Sequence, residues 1–476
     1  MHHHGLGGRR YYQGGLDVTN KETSDPQSRN SGENNINDQR VTSRQKFILI
    51  FGCAGSAMDG YVIAMVSFAL LKLTSFWNLN DTEVGLLGAA SLFGILVGGL
   101  FGGQLADRYG RRKVYICNMA IIFLTAVAQF FVQGVELLIA IRFILGLTIG
   151  CDYPTASTMV TEFSRTRQRG VLVGAMNAIW YVGAICAVIV GYLLLDLPDD
   201  TAWRWMLSSA AFPATIFLFG RFKTPESPLW LARQGRREES IEILHWVFGK
   251  DSNIDEFLDD YNAPAVKGDW KTIFKNRIYL KRLIYCGLFY GLMGIPVFGI
   301  VTFGPTINQL LGMTGSMWIW SYLFQNVAFL AGCIPALYLV DRWGRRPLNI
   351  WGYVFMTIGM LIVGAFANGN PLVILAGFLL FCVAQGGPMV LAWVIPNEVF
   401  PTEIRSTATG FATAISRIGS AVGTLCVPLF IGSLGVQITM YIMAGVCLVG
   451  TFVCYLLAEE TKGLTLKEAS APVWHR

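Results

Sequence analysis

About twelve apolar runs of roughly 20 residues divide this chain. A helix rises about 1.5 Å per residue, so each run is long enough to cross a hydrocarbon layer about 30 Å thick. In lipid, a continuous apolar run satisfies its own backbone hydrogen bonds as a helix. The runs lie near residues 47–73, 84–106, 114–132, 137–161, 171–195, 205–222, 283–303, 318–340, 347–367, 371–396, 406–432 and 437–458. They predict an all-α membrane protein with twelve transmembrane helices.

The composition supports this prediction and excludes other classes. Charged residues make up 14% of the chain, whereas an ordinary soluble protein has about 25%. A water-soluble enzyme and a disordered chain are therefore excluded. The sequence has no HExxH, no GxSxG and no Walker-type loop, so neither a membrane enzyme nor an ATP-driven pump is indicated. No histidine lies in an apolar run, and no cofactor or metal is predicted.

The basic residues predict how the chain is oriented. With the N-terminus in the cytoplasm, 33 of the 37 Lys and Arg residues fall in the tails and in the loops on the cytoplasmic side. The other four are Lys72, Arg142, Arg204 and Arg417. This asymmetry is what the positive-inside rule requires, so we expect a multi-pass protein of the inner or plasma membrane with both termini cytoplasmic. The net charge of +6 then reflects orientation, and no nucleic-acid partner is needed.

Internal repetition divides the chain into two halves. Leu105–Arg112 recurs as Leu339–Arg346, displaced by 234 residues. Two further pairs repeat at nearly the same offset: Glu162 with Arg169 as Glu398 with Arg405, and Pro225-Glu226-Ser227 as Glu459-Glu460-Thr461. Equivalent loops lie on the same side, so these are parallel repeats with a substrate cavity between them at mid-membrane. The predicted segments are a disordered tail 1–46, a six-helix bundle 47–222, a linker 223–280 with short amphipathic helices, a second six-helix bundle 281–458 and a tail 459–476.

The repeated loop predicts a cytoplasmic gate. Gly110 and Gly344 permit the tight turn between two helices, and we expect Asp107 and Asp341 to accept hydrogen bonds from amides at a helix start. The neighbouring arginines are expected to reach carboxylates such as Glu162. The predicted gate residues are Asp107, Arg108, Arg111, Glu162, Arg169, Asp341, Arg342, Arg345, Glu398 and Arg405. The alternative is that these charges only fix the topology.

These motifs resemble those of a known family. The loop Gly103–Lys113 and its second copy are similar to the signature of the major facilitator superfamily. Pro225–Leu231 resembles the PESPRWL element of its sugar porters and organic-ion transporters, and Glu460–Gly463 resembles their PETKG. The resemblance covers residues ~45–465. It implies two six-helix bundles that work by alternating access.

Four ionisable residues lie well within apolar runs, away from the ends of the runs: Asp59, Arg142, Asp152 and Arg417. Buried charges in a membrane are costly, so a functional role is the first hypothesis. Asp59 and Arg142 resemble the first-helix aspartate and fourth-helix arginine of proton-coupled symporters, and Gly150–Pro154 resembles the GGDYP element of phosphate symporters. We therefore assign proton coupling to Asp59, Asp152 and Arg142. The alternatives are a static ion pair and sodium coupling.

Arg417 is the predicted substrate anchor. A guanidinium holds a carboxylate or phosphate through two parallel bonds and keeps its charge. Arg417 stands where phosphate symporters have lysine, and Arg-Ile-Gly is similar to the eleventh helix of aromatic-acid and organic-anion carriers. Alternatively, Arg417 only neutralises Asp59 or Asp152. The other predicted substrate-binding residues are Tyr153, Tyr290, Gln385 and Trp393.

These observations predict a secondary active transporter. The favoured function is proton-coupled symport of a small anionic metabolite, an organic carboxylate or phosphate, by a monomer in the lipid bilayer. A sugar or polyol transporter and an uncoupled facilitator are the alternatives. Sugar is less favoured because the seventh helix lacks the glutamine pair and the QxxGxN pattern of sugar porters.

Overall fold

The computed structural model describes residues 41–164, 169–249, 270–367, 369–464 and 466–471. Over these residues the regular structure is helical. The helices are α1 (Ser43–Trp77), α2 (Asp81–Tyr109), α3 (Arg111–Phe130), α4 (Val135–Glu162), α5 (Arg169–Leu193), α6 (Asp199–Ser208), α7 (Ala211–Phe222), α8 (Pro228–Arg233), α9 (Arg237–Phe248), α10 (Trp270–Lys275), α11 (Arg277–Leu310), α12 (Met317–Trp343), α13 (Arg345–Ala365), α14 (Pro371–Ala384), α15 (Gly386–Val399), α16 (Thr402–Leu457) and α17 (Leu466–Ser470).

Twelve passes can be counted in the described part of the chain. Nine helical segments there are long and apolar enough to cross a membrane. One of them, Thr407–Leu457, contains two passes because Gly435, with φ 83° and ψ 163°, interrupts α16. Helix α4 and the pair α6–α7 complete the set. The predicted all-α fold with twelve transmembrane helices is therefore confirmed. The sixth pass begins earlier than predicted, at Asp199, where two acidic residues occupy the first helical turn.

Local sequence determines where the helices begin and end. Thr42 starts α1 by accepting a hydrogen bond from the Gln45 amide at 3.1 Å. Asn80 and Glu83 form a capping box at the start of α2. Gly110 and Gly344 join α2 to α3 and α12 to α13 with φ of 99° and 101°, a region that glycine adopts without strain. The two copies of the repeated loop thus have the same backbone turn.

The two halves meet closely at the end of the bundle away from Gly110 and Gly344. We call the end with these two glycines the signature end. At the opposite end Phe68 packs on Tyr322, with ring centroids 5.9 Å apart, and Ser67 donates to the Tyr322 hydroxyl at 3.3 Å. A side chain at Gly85 would press on the carbonyl oxygen of Leu425 in the other half. The two halves therefore seal the opposite end.

The linker packs against the first half. Leu244, Val247 and Phe248 of α9 are buried in one cluster with Ile48 and Phe163, which lie on α1 and at the end of α4. Ile241 packs against the same cluster. The predicted amphipathic helix thus covers the ends of two transmembrane helices. Residues 250–269 of the predicted linker lie outside the described residues, as do residues 1–40 of the first tail and 472–476 of the last.

Candidate functional site

A small cavity lies between the two halves at mid-membrane. Its free volume is about 30 Å³, which accommodates water but no metabolite. Asn397, one turn beyond Trp393 toward the signature end, is exposed, whereas Met65 and Thr302 toward the opposite end are buried. The cavity therefore lies nearer to solvent on the signature side. The lining residues are Ser56, Tyr153, Met176, Asn177, Trp180, Tyr181, Tyr290, Met293, Gly294, Val297, Phe298, Met389, Trp393 and Arg417.

Arg417 brings a positive charge into an aromatic wall. Its side chain is 5% exposed. The guanidinium carbon lies 5.2 Å from the ring centroid of Tyr153 and 5.5 Å from that of Phe298. Its Nε is buried without a hydrogen-bond partner. Aromatic faces attract a cation but do not supply a counter-charge, so the guanidinium keeps its capacity to bind an anion.

Asp59 lies behind this wall and is held by two of its residues. The Tyr153 hydroxyl and the Trp180 indole nitrogen both donate to Asp59 Oδ2, the latter at 2.6 Å. Asp59 Oδ1 is buried and has no partner. Arg417 also acts electrostatically on Asp59. The structure thus places Tyr153 in contact with Asp59 of its own half and with Arg417 of the other half.

Arg142 is placed elsewhere. Its Nε donates to the carbonyl oxygen of Leu87 at 3.1 Å, and its Nη2 is buried without a partner. Both residues lie nearer to the opposite end than the cavity does. In this conformation the hydrogen bonds on Asp59 come from Tyr153 and Trp180, and the bond described for Arg142 goes to a backbone carbonyl.

Asp152 is paired with an arginine at the end of the sixth pass. Arg221, at the end of α7, donates to both carboxylate oxygens of Asp152 at 2.6 and 2.7 Å. Arg221 also donates to the backbone carbonyl oxygen of Tyr115 at 2.7 Å, and its guanidinium carbon lies 3.7 Å from the centroid of the Tyr115 ring. Its position in the sequence, at the end of the sixth apolar run, gave no sign of this pairing. Asp152 is thus neutralised by Arg221 and not by Arg417.

The Asp152–Arg221 pair is expected to act as a structural unit. We expect Asp152→Asn to lower the melting temperature of the purified protein by about 5 °C, because it leaves a fully buried guanidinium without its counter-charge. The double variant Asp152→Asn/Arg221→Gln removes both charges and should recover most of that loss. Thermal unfolding followed by tryptophan fluorescence measures both. A double variant as unstable as Asp152→Asn would contradict this assignment.

Three buried N–H groups in the cavity wall have no acceptor among the described residues. They are Arg417 Nε, Trp393 Nε1 and Asn177 Nδ2, and they come from both halves. The guanidinium and the indole ring contain donors only. A buried donor without a partner is costly, typically about 1–3 kcal/mol. The cavity is therefore suited to a molecule that supplies several acceptor oxygens.

The other predicted substrate residues are distributed as follows. Tyr153, Tyr290 and Trp393 line the cavity. Gln385 does not line it: its Oε1 accepts from the Tyr181 hydroxyl at 3.3 Å, and Tyr181 is the residue in the wall. Trp180 and Phe298 were missed, because an aromatic residue in an apolar helix is usually a packing residue.

At the signature end, the carboxylate of the first half is held within that half. Arg111 pairs with Glu162 and lies 3.6 Å from Asp107. Ser227, from the segment after α7, donates to Glu162 at 2.5 Å. Glu226 accepts from the Arg112 amide at 2.8 Å. The loop, the end of α4 and the start of the linker are thus tied together.

The second half repeats this arrangement. Arg345 donates to both oxygens of Glu398, at 2.7 and 3.1 Å, and lies 3.4 Å from Asp341. Thr461 donates to Glu398 at 2.5 Å, in the position of Ser227. Glu460 accepts from the Arg345 and Arg346 amides at 3.0 and 3.1 Å. The repeat of Pro225-Glu226-Ser227 as Glu459-Glu460-Thr461 therefore corresponds to equivalent contacts in the two halves.

One detail of the predicted gate is wrong. Glu226 and Glu460, and not Asp107 and Asp341, accept from the amides at the helix start. The two aspartates end the preceding helices, so their side chains are 64% and 81% exposed and face arginines one turn ahead. The turn places the later glutamate, instead of the aspartate, beside the free amides.

The remaining predicted gate arginines that the structure describes contact aromatic rings or a backbone carbonyl. Arg108 lies over the ring of Tyr109, and Arg342 over that of Tyr338. Arg405 donates to the carbonyl oxygen of Phe400 at 3.1 Å. Arg169 is the first residue of α5, and its side chain lies outside the described residues. The described carboxylates of the gate set are thus paired within their own halves.

Comparison with known proteins shows that this chain is similar to transporters. Residues 48–472 match the model of the family described as sugar (and other) transporter. The putative metabolite transport protein YaaU of Escherichia coli (strain K12) is 38% identical over 437 residues, which are 92% of this chain and 97% of the relative. The inner membrane metabolite transport protein YgcS of the same strain is 35% identical over 86% of this chain and 90% of its own. The arabinose-proton symporter of Bacillus subtilis (strain 168) is 28% identical over 89% of this chain and 94% of its own.

Solved structures share the fold. The partially occluded inward-open conformation of the xylose transporter XylE from E. coli superposes with a TM-score of 0.77 at 21% identity, covering 89% of this chain and 100% of that one. XylE bound to 6-bromo-6-deoxy-D-glucose gives 0.75 at 22% identity, covering 91% and 99%. At 21–22% sequence identity, this structural similarity is evidence for a shared fold.

Proposed function

The chain belongs to the sugar (and other) transporter family, and we propose that it carries out proton-coupled symport of a small organic anion. Members of this family are multi-pass transporters of the major facilitator superfamily and not enzymes. The transported molecule binds in the cavity between the halves, and Arg417 is its anchor. Asp59 carries the proton.

One observation carries the choice of an anion: the unpartnered N–H groups of Arg417, Trp393 and Asn177. A carboxylate with further acceptor oxygens satisfies these donors and the charge of Arg417 together. A neutral sugar supplies acceptors too, but it leaves the buried charge of Arg417 balanced only by Asp59, with which Arg417 forms no ion pair among the described residues. The binding free energy therefore favours the anion.

The geometry of Asp59 supports its role as the proton carrier. Both oxygens of Asp152 accept bonds from Arg221, whereas Asp59 Oδ1 has no partner. A proton on Oδ1 removes a negative charge from a buried site near Arg417. Arg417 then has its full charge available for the anion, so proton and anion bind together. We keep Arg142 in the proton-coupling proposal as a buried positive charge of the same half as Asp59, with an Nη2 that has no partner among the described residues.

The two networks at the signature end serve as the gate in this proposal. With this end in the cytoplasm, the described conformation faces inward, and the seal at Phe68, Tyr322 and Gly85 closes the outer side. The pairs Arg111–Glu162 and Arg345–Glu398 keep each half rigid while the halves rock. Each chain works as a monomer, because both walls of the cavity belong to it.

Sugar or polyol symport is the second candidate. It is favoured by the large aromatic surface of Trp180, Tyr290 and Trp393, on which a sugar ring can stack, and by the names of relatives such as the arabinose-proton symporter. In that case Arg417 would bind hydroxyl oxygens of the sugar, and the positive charge of Arg417 would be balanced by Asp59 alone.

Proton movement driven by a test compound separates these candidates. Purified protein is reconstituted in lightly buffered proteoliposomes, and each of gluconate, galacturonate, sorbitol and galactose is added outside. We expect at least one carboxylate, and neither neutral compound, to make the outside more alkaline. A protonophore should remove the concentrative uptake of that compound. Uptake that ignores the pH gradient would favour the uncoupled facilitator, and alkalinisation by galactose or sorbitol would favour the second candidate.

A further inference from the structure

Trp180 belongs to two sites at once. Its ring lines the central cavity, and its indole nitrogen donates to Asp59 Oδ2 at 2.6 Å. The side chain is 7% exposed. Trp393, the other tryptophan of the cavity wall, has an unpartnered Nε1 instead. The two tryptophans therefore differ in their relation to the carboxylate.

The backbone fixes Trp180 against α1. A side chain at Gly60, the residue after Asp59, would overlap the carbonyl oxygen of Trp180. A side chain at Gly183, one turn further along α5, would overlap the carbonyl oxygen of Ala57. The two helices thus touch at backbone distance on both sides of Asp59. The backbone of Trp180 is therefore fixed beside Asp59, and rotation of the Trp180 side chain is what moves the indole nitrogen relative to the carboxylate.

The ring of Trp180 is in turn held by aromatic neighbours of the cavity. It packs edge-on against Tyr181, with centroids 5.0 Å apart, and against Phe298 of the other half, with centroids 6.1 Å apart. Phe298 also lies 5.5 Å from the guanidinium carbon of Arg417. A molecule bound at Arg417 would therefore contact Phe298, which packs against Trp180.

We propose that Trp180 is a positioning residue for the transported proton: its N–H fixes Asp59 by Oδ2, directs the proton to Oδ1, and transmits occupancy of the cavity to the carboxylate. This inference rests on the proposed function of Asp59. When a bound molecule shifts the indole, the charged carboxylate loses one of its two donors. Proton binding and substrate binding are then favoured together, and the coupling is reciprocal.

The other groups facing Asp59 are compatible with this role. On α4, Tyr153 donates to the same oxygen, and Asp152 is neutralised by Arg221 of α7. On α16, Arg417 acts on Asp59 through its charge, and Tyr290 of α11 lies near Arg417. From α5 the only described hydrogen bond to Asp59 comes from the Trp180 indole. Replacing Trp180 therefore changes a donor without changing a charge.

The test is an infrared titration of the full-length protein with protons as the only ligand. The carboxyl band of Asp59 is identified by its loss in Asp59→Asn. In Trp180→Phe the ring remains but the donor is gone, so the carboxylate should be protonated about one pH unit higher than in the parent. Trp393→Phe is the matched control: it removes an indole of the same cavity that does not touch Asp59, and the titration should stay in place.

The outcomes separate this inference from the proposed function. A Trp180→Phe midpoint equal to that of the parent, with a clear Asp59 titration in both, overturns the role of Trp180 and leaves Asp59 as the carrier. Equal shifts in Trp180→Phe and Trp393→Phe also overturn it, because the effect would then be general to the cavity. A parent protein without an Asp59 band between about pH 4 and pH 10 overturns both proposals.

Discussion

Arg417→Gln is expected to weaken binding of the transported anion about 100-fold. The substitution removes a buried positive charge that has aromatic neighbours and, within the described part of the chain, no direct carboxylate partner. Such a loss costs about 3 kcal/mol when the bound anion is buried with the charge. Arg417→Lys keeps the charge but not the planar fork, so we expect a loss of about tenfold. The affinity is measured by quenching of tryptophan fluorescence with the carboxylate that alkalinises the proteoliposome medium.

The stability of the same variants serves as their control. Since Arg417 carries an incompletely balanced charge in the membrane, Arg417→Gln should melt at or above the temperature of the parent. A variant that binds as tightly as the parent would contradict the anchor role. A variant that has lost binding and also melts far below the parent would indicate that Arg417 is mainly a packing residue.

Asp59→Asn is expected to abolish accumulation while leaving exchange. The amide keeps the shape of the side chain, and its oxygen still accepts from Tyr153 and Trp180, so the cavity remains formed. It carries no transportable proton, so a pH gradient no longer drives uptake. Accumulation should fall to the equilibrium level, whereas counterflow of the labelled carboxylate against the unlabelled one should persist.

Asp196→Asn is the matched control for Asp59→Asn. Asp196 is an exposed carboxylate in the loop after α5, so its replacement should change neither accumulation nor exchange. Accumulation by Asp59→Asn at the parent level would contradict the proton-carrier role. Loss of both activities in Asp59→Asn would mean that the carboxylate is needed for substrate binding or for the conformational change itself.

Much of the fold was predictable because its determinants are local. Hydrophobic length determines a transmembrane helix, and the distribution of basic residues predicts orientation, so neither requires tertiary contacts. The repeat of Leu105–Arg112 at Leu339–Arg346 predicted two equivalent halves, and the equal φ of Gly110 and Gly344 shows the equivalence at the backbone. The break at Ser209–Ala210 in the sixth pass was not predicted, although Pro213 marks it: proline has no N–H to donate to the Ser209 carbonyl four residues earlier.

The site was predictable in its charges but not in its pairings. Asp59, Asp152 and Arg417 stand out because charge in an apolar run is costly, and Tyr153 contacts both Asp59 and Arg417. The partner of Asp152 was missed because Arg221 is 69 residues away at a helix end, where a basic residue usually marks topology. Trp180 was missed because its two contacts depend on how α5 packs against α1, which helical periodicity does not reveal.

The matched-pair thermal-shift experiment tests the central claim most directly. The purified protein is melted in the presence of gluconate or sorbitol, galacturonate or galactose, 4-hydroxybenzoate or 4-hydroxybenzyl alcohol, and inorganic phosphate. A bound compound raises the melting temperature by mass action. The proposal predicts that at least one carboxylate stabilises the parent, that its neutral counterpart does not, and that the stabilisation is lost in Arg417→Gln. Stabilisation by sorbitol or galactose without any by their acids, and unchanged in Arg417→Gln, would contradict it.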